Sequence, residues 1–361
     1  MRIGSRVSVV VLGVLLLTTQ APGFAKPREP KQKAASFTQH VYGEPGAEGS
    51  RAYWLYLPAR KGNKPIPLVV YLHGCLQTAA DAAAQTRYNE LADELGFAVV
   101  YPDQNVTSPS TYPLADGNGT GCWNWFLTDH QQRGSGEPAS IAGITQEVAA
   151  AHRIDTERVY VEGISAGADM AVIMASTYPD IYAAAAALAG CAYATCADAT
   201  GALAHQAMGS NARVVPMFVE QGTADTLNVY PLAEGLVQAW LGTSDLADGG
   251  DMGSIARTPA STETFETDQS PSPGSGDVCV RNSNWPCPGG AIGFQETYPY
   301  TIRTYEDGTG CDIVEFWAIH GLEHAYPNAD ASTHFSDPLG PDITRAAYQF
   351  LRQHTLSGPC T

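Results

Sequence analysis

Gly163-Ile164-Ser165-Ala166-Gly167 sets a serine between two glycines, each two residues away. This fits the G-x-S-x-G pattern of a nucleophile held on a sharp turn between a strand and a helix. The pentapeptide alone is weakly informative, but its surroundings sharpen it. Val159-Tyr160-Val161 precedes it as a buried strand, and an alanine-rich helical stretch opens at Ala166. A side chain two residues before or after the serine would collide with neighbouring backbone, so both positions call for glycine. The start of the helix behind Ser165 offers unpaired N–H groups and a positive dipole end, which suit the negative charge of a tetrahedral intermediate. The expected chemistry is acyl transfer through Ser165.

Such a serine needs a base, and the base needs an acid to orient it; in this arrangement the chain order is serine, acid, histidine. Val219-Glu220-Gln221-Gly222-Thr223-Ala224-Asp225 puts two acids at the end of an apolar run. Asp225 lies in the loop and is the better placed. Glu220 sits at the strand end with less freedom to reach a histidine. Two histidines follow in Ile319-His320-Gly321-Leu322-Glu323-His324. His324 lies further into the loop and is preferred over His320. An oxyanion hole needs two aimed backbone N–H groups. Ala166 supplies one. Leu72-His73-Gly74-Cys75 follows an earlier apolar strand, and Cys75 is assigned the other. Trp123 and Trp125, in the aromatic cluster Gly121–Phe126, could wall an acyl or alcohol group.

The elements that must carry these residues read as an α/β chain. Runs of strand type at Arg51–Leu57, Pro67–Leu72, Phe97–Tyr101, Arg158–Val161, Val214–Val219, Thr301–Tyr305 and Ile313–Ile319 alternate with helical stretches at Ala79–Leu95, Ser140–His152, Ala166–Tyr178, Tyr230–Leu241 and Asp342–His354. That alternation predicts a mostly parallel central sheet with helices on both faces. Residues 245–290, rich in Gly, Ser, Thr, Pro and Asp, read as a polar insertion. No internal repeat or second domain is evident, so residues 26–361 are expected to form one catalytic domain, with its folded core from 37.

Arg2 and Arg6, the apolar run Val7–Leu17 and Gly23-Phe24-Ala25 read as a signal peptide cleaved near Ala25. Eight cysteines in an exported chain suggest disulfides. Spacing leaves the connectivity open; pairing near neighbours gives Cys75–Cys122, Cys191–Cys196, Cys279–Cys287 and Cys311–Cys360. The cysteines lack the repeated CxxC spacing of a structural metal site, and neither metal nor cofactor is expected. The formal charge is −17. The two arginines are the only charges in the first 25 residues, so the cleaved chain carries −17 − 2 = −19. That balance argues against nucleic acid or an anionic membrane as partner. Oligomeric state is not readable.

Several longer strings carry a resemblance: LHGCLQ at Leu72–Gln77, TRYNELADELGFAVVYPDQ at Thr86–Gln104, CWNWF at Cys122–Phe126, HQQRGSGEPASIAGI at His130–Ile144 and RVYVEGISAGADMA at Arg158–Ala171. Together with the strings around Asp225 and His324, they resemble the polyhydroxybutyrate depolymerase family of secreted esterases, related to feruloyl and acetyl-xylan esterases. The resemblance implies an α/β-hydrolase fold and a cofactor-free Ser-Asp-His triad, which falls on Ser165, Asp225 and His324, with Cys75 and Ala166 at the oxyanion. It implies a polyester or another ester-bearing polymer as substrate. The family pattern GHAWPG appears here as Glu323-His324-Ala325-Tyr326-Pro327-Asn328, which puts Tyr326 in the expected substrate groove. An amide-cleaving relative would keep the same residues. A non-catalytic binding protein would have lost one of them, and all three are present.

Overall fold

The computed structural model describes residues 34–43, 50–59, 64–104, 120–249, 253–266, 297–358 and 360. The expected signal peptide, the Cys279–Cys287 pair and most of the polar stretch 245–290 lie outside them.

The first strands are β1 (Ser36–Tyr42), β2 (Arg51–Leu57) and β3 (Ile66–Leu72), followed by helices α1 (Ala79–Thr86) and α2 (Tyr88–Leu95) and strand β4 (Ala98–Pro102). Helix α3 (Gly136–Ala151) leads into β5 (Ile154–Ile164), α4 (Ala166–Thr177), β6 (Ala184–Leu188), α5 (Ala202–Met208), β7 (Met217–Gly222) and α6 (Tyr230–Ala247). Strands β8 (Ser261–Phe265), β9 (Tyr300–Glu306) and β10 (Asp312–Ile319), a short pair β11 (Tyr326–Pro327) and β12 (Ser336–Asp337), and helix α7 (Ile343–Leu351) complete the order.

Ten of these strands form one sheet in the order β1-β2-β4-β3-β5-β6-β7-β10-β9-β8. The six central strands, β4 through β10 in that order, run parallel. Antiparallel strands extend both edges. The central strands are mostly buried and largely apolar because helices cover both faces, with Glu162, Glu220 and Gln221 as buried exceptions. Val70, Val161 and Val219 face the core shared with α3, α4, α5 and α6. Val69, Tyr160 and Phe218 face the one shared with α1, α2 and α7. The expected α/β architecture is therefore present.

The details differ in places. The helix expected over Ala79–Leu95 is two helices, broken at Arg87, whose φ is 54°. Ala82-Ala83-Ala84 and the later leucines disguise the break. Strand β6 is Ala-Ala-Ala-Ala-Leu, a composition of helical propensity that tertiary burial overrides. Strand β8 falls inside the stretch read as a polar insertion, and α6 runs on into it as far as Ala247. The polar residues there serve the backbone: the Asp245 carboxylate accepts N–H bonds from Gly253 (2.9 Å) and Ile255 (3.1 Å). Three disulfides match the expected pairing: Cys75–Cys122, Cys191–Cys196 and Cys311–Cys360.

The order of the central strands fixes where a site can lie. From β3 the chain passes to β4 on one side, then crosses back to β5 on the other. The helices that follow go to opposite faces, α1 after β3 and α4 after β5. A crevice opens at the carboxyl ends of strands that part in this way. His73-Gly74-Cys75 leaves β3 there, and Ser165 leaves β5 beside it.

Candidate active site

Ser165 has φ 57° and ψ −126°, a strained conformation for a residue with a side chain. The neighbouring glycines permit it. A Cβ on Gly163 would lie 2.3 Å from the Gly167 carbonyl oxygen, and one on Gly167 would lie 2.1 Å from the Leu72 oxygen. The helix start is thus pressed directly against the end of β3. The Ser165 N–H donates to the Leu188 carbonyl (2.9 Å), which pins the turn to β6.

His324 and Asp225 arrive from the ends of β10 and β7. His324 Nε2 lies 3.0 Å from Ser165 Oγ, and His324 Nδ1 lies 2.7 Å from Asp225 Oδ2. A carboxylate only accepts, so Nδ1 carries the proton, and the Nε2 lone pair faces the serine hydroxyl. Asp225 is saturated with donors. Its Oδ1 accepts the N–H groups of Leu227 (2.8 Å) and Asn228 (2.9 Å), and its Oδ2 also accepts from Gln221 Nε2 (2.9 Å). Burial pushes the Asp225 carboxyl up, but His324, Gln221 and the Leu227 N–H together outweigh it and hold it below the usual range. The rival acid Glu220 is buried, and neither of its carboxylate oxygens has a hydrogen-bond partner among the described residues. Burial and then the charge of Asp225 push its carboxyl well up. The rival base His320 is exposed and bonds Thr301 Oγ1 (2.8 Å), away from the serine.

The N–H groups of Cys75 and Ala166 donate to no intramolecular acceptor among the described residues, as the expected oxyanion role requires. A Cβ on Gly74 would sit 3.5 Å from Ser165 Cβ, so the loop passes close above the nucleophile. Behind it lies a buried polar frame. Trp123 Nε1 donates to the His73 carbonyl (2.9 Å), and the Gln104 N–H donates to His73 Nε2 (3.1 Å). His73 Nδ1 in turn donates to the Gly74 carbonyl (2.7 Å). Gln104 then reaches the Cys122 carbonyl (2.7 Å), Arg51 and Glu137. Glu137 accepts from the Asn124 N–H (2.7 Å). Burial raises the Glu137 carboxyl, but His130 and Arg51 prevail and keep it ionised. The Cys75–Cys122 disulfide joins this frame to the oxyanion loop.

Two expected substrate contacts are corrected. Trp123 is 0% exposed, and its face lies under the Arg51 guanidinium (4.9 Å), so it supports the oxyanion loop from within rather than walling the groove. Tyr326 is 1% exposed, with its hydroxyl bonded to Thr344 Oγ1 (2.7 Å) on α7. The backbone pairing of β11 with β12 turns that side chain into the core. Trp125 is half-buried, edge-on to Phe126 at 5.9 Å. Gln221, Asn228 and Phe335 were not singled out from the sequence. Gln221 lies just past the run read as a strand, and Phe335 lies in an irregular loop without periodicity.

The family model described as Esterase PHB depolymerase matches residues 51–239, which hold Ser165, Asp225 and the oxyanion loop. The chain belongs to that family. Among curated relatives, poly(3-hydroxyalkanoate) depolymerase C of Paucimonas lemoignei is 32% identical over 72% of this chain and 55% of its own length. Feruloyl esterase B of Neurospora crassa is 31% identical over 49% of this chain and 57% of its own. The chain therefore spans little more than half the length of these relatives. Among solved structures, an acetyl xylan esterase from Aspergillus awamori superposes with a TM-score of 0.55 at 21% identity, covering 80% of this chain and 94% of that one. That likeness bears on the fold of this Esterase PHB depolymerase member. No helix among its described residues is long and apolar enough to cross a membrane.

Proposed function

We propose that this chain is an exported serine carboxylic-ester hydrolase that depolymerises a polyhydroxybutyrate-type polyester through an acyl-enzyme on Ser165. The observation that carries the reading is His324, whose two ring nitrogens span Ser165 Oγ at 3.0 Å and Asp225 at 2.7 Å. Ser165 Oγ attacks the ester carbonyl carbon while His324 Nε2 takes its proton. The carbonyl oxygen becomes an oxyanion between the N–H groups of Cys75 and Ala166. The tetrahedral intermediate collapses, the C–O bond to the alcohol breaks, and His324 gives its proton to the departing alkoxide. Water then attacks the acyl-enzyme by the same steps and frees the acid. Asp225 holds the Nδ1–H tautomer and stabilises the imidazolium. Three disulfides agree with an oxidising compartment. Export with cleavage near Ala25 is part of the proposal.

A second reading, hydrolysis of feruloyl or acetyl esters on polysaccharide, is favoured by the feruloyl esterase relative. The test compares ester release from amorphous polyhydroxybutyrate, methyl ferulate and a short p-nitrophenyl ester, each with a Ser165→Ala control. Hydroxybutyrate released from the polymer and lost in the control supports the depolymerase. Release from ferulate alone moves the substrate to polysaccharide esters. Turnover that survives Ser165→Ala overturns the mechanism.

A further inference from the structure

Residues 330–337 form a strap that leads from β11 into β12. Phe335 in this strap lies against the imidazole of His324, with ring centroids 5.6 Å apart and planes at 78°. Its φ is 55°, a left-handed conformation that costs a bulky side chain energy and persists only where surrounding contacts dictate it. Those contacts are present. The Tyr326 N–H donates to the Phe335 carbonyl (2.8 Å). The buried Gln85 amide donates to the carbonyls of His334 (3.0 Å) and Phe335 (3.0 Å) and to Ser336 Oγ (2.9 Å). Gln77, also buried, clasps both sides: its Oε1 accepts the Gly74 N–H (2.9 Å) and its Nε2 donates to the His334 carbonyl (2.9 Å). One glutamine therefore ties the strap to the loop that carries the oxyanion donor Cys75.

Strain imposed by two glutamine side chains and a backbone bond holds a half-buried aromatic ring beside the base. The hydrophobic effect alone does not explain this, since burial in the core would satisfy a phenylalanine better. We propose that Phe335 is a specificity-determining residue for the alcohol portion of the ester, the part that leaves first. This rests on the catalytic reading of Ser165, His324 and Asp225. The leaving oxygen must lie within reach of His324 Nε2 to receive its proton, so a ring packed on that imidazole borders the alcohol and not the acyl chain. The wall would favour an apolar or bulky alcohol, such as the next repeat of a polyester, over methanol.

The experiment uses the full chain and two ester series. One keeps a butyryl group and varies the alcohol from methyl to 1-naphthyl. The other keeps p-nitrophenol and varies the acyl chain. For Phe335→Ala, the ratio of kcat/KM for naphthyl over methyl ester is expected to fall roughly tenfold, the scale of apolar pocket discrimination. The acyl-chain profile stays as in the parent. The deacylation rate also stays unchanged, because the alcohol has left by then. Phe335→Leu, which keeps most of the bulk, gives an intermediate ratio and serves as the reading if the alanine variant fails to fold. An unchanged alcohol ratio in a folded, serine-dependent variant overturns the wall, as does an altered acyl profile with the alcohol ratio intact. Turnover that survives Ser165→Ala would instead overturn the catalytic reading beneath it.

Discussion

Asp225→Asn is the substitution whose outcome the geometry fixes most tightly. Oδ1 receives two backbone N–H bonds, from Leu227 and Asn228, while Oδ2 receives Gln221 Nε2 and His324 Nδ1. An asparagine has one oxygen to offer. The two backbone donors cannot reorient, so the oxygen goes to them and the NH2 group points at Gln221 and His324. The imidazole must then present a lone pair at Nδ1 and a proton at Nε2. In that tautomer Nε2 donates toward Ser165 and cannot take its proton. The equivalent swap in serine proteases lowers kcat by about 10^4-fold. That factor corresponds to about 5 kcal/mol of transition-state stabilisation. The expected result is a kcat loss of that order on a soluble p-nitrophenyl ester with KM little changed, since ground-state binding does not use Asp225. The variant should also lose the part of the acid-side pH dependence of stability that Asp225 supplies. The Asp225 carboxyl is held below its usual range in the folded protein, so its contribution is fully present above the unfolded pKa of about 3.9 and vanishes as pH falls through the lower folded value. A folded Asp225→Asn variant within tenfold of parent kcat would refute this account of the tautomer.

Two further substitutions test the frame. Gly167→Ala would place a methyl group 2.1 Å from the Leu72 carbonyl oxygen and 2.6 Å from that of His73, both backbone atoms with no room to yield; it is expected to cost at least about 3 kcal/mol in urea unfolding, and a variant of parent stability would contradict the packing. Glu162 on β5 is buried, with burial pushing its carboxyl up to about 8 against the opposing bond from the Tyr88 hydroxyl. The folded protein therefore holds a proton there that the unfolded chain releases above about 4.3, and stability falls by up to about 1.4 kcal/mol per pH unit between those values. Glu162→Gln should flatten that slope, gaining most on the parent near pH 8; identical pH profiles of thermal unfolding would refute the protonated state.

The motif residues were legible because each obeys a constraint that leaves a mark in sequence. Glycine is forced at 163 and 167 by backbone contact. The order of serine, acid and histidine follows from the order of the strands. The buried stretches of the central strands show as apolar runs such as Pro67–Leu72. Less was legible where tertiary context decides. Nothing in Ala184–Leu188 distinguishes a strand from a helix, because alanine suits any tightly covered position. Two aromatics near the motifs, Trp123 and Tyr326, looked like groove residues by proximity in sequence. Their direction depends on a hydrogen bond to the His73 carbonyl and on β11–β12 pairing, neither of which is local. Phe335 left no sequence mark, since its conformation is set by glutamines some 250 positions away along the chain.

The two halves of the site are held by different means, and this bears on what evolution can change. The proposed nucleophile and oxyanion donors rest on close backbone contact, the Cys75–Cys122 disulfide and the buried Arg51–Glu137–Gln104 frame. Replacing a member of that frame leaves a buried charge or amide without its partner, a cost that falls on folding as well as catalysis. The strap at 330–337 is different. Apart from the Ser336 hydroxyl, its anchors bind the backbone carbonyls of His334 and Phe335, so they hold the path of the chain there whatever side chain residue 335 carries. Residue 335 can therefore vary in size while Gln77 and Gln85 keep the strap in place. If Phe335 meets the substrate as proposed, such a position can vary with the ester without disturbing the hydrogen bonds that hold the base, as relatives named for polyhydroxyalkanoate and feruloyl ester hydrolysis would require.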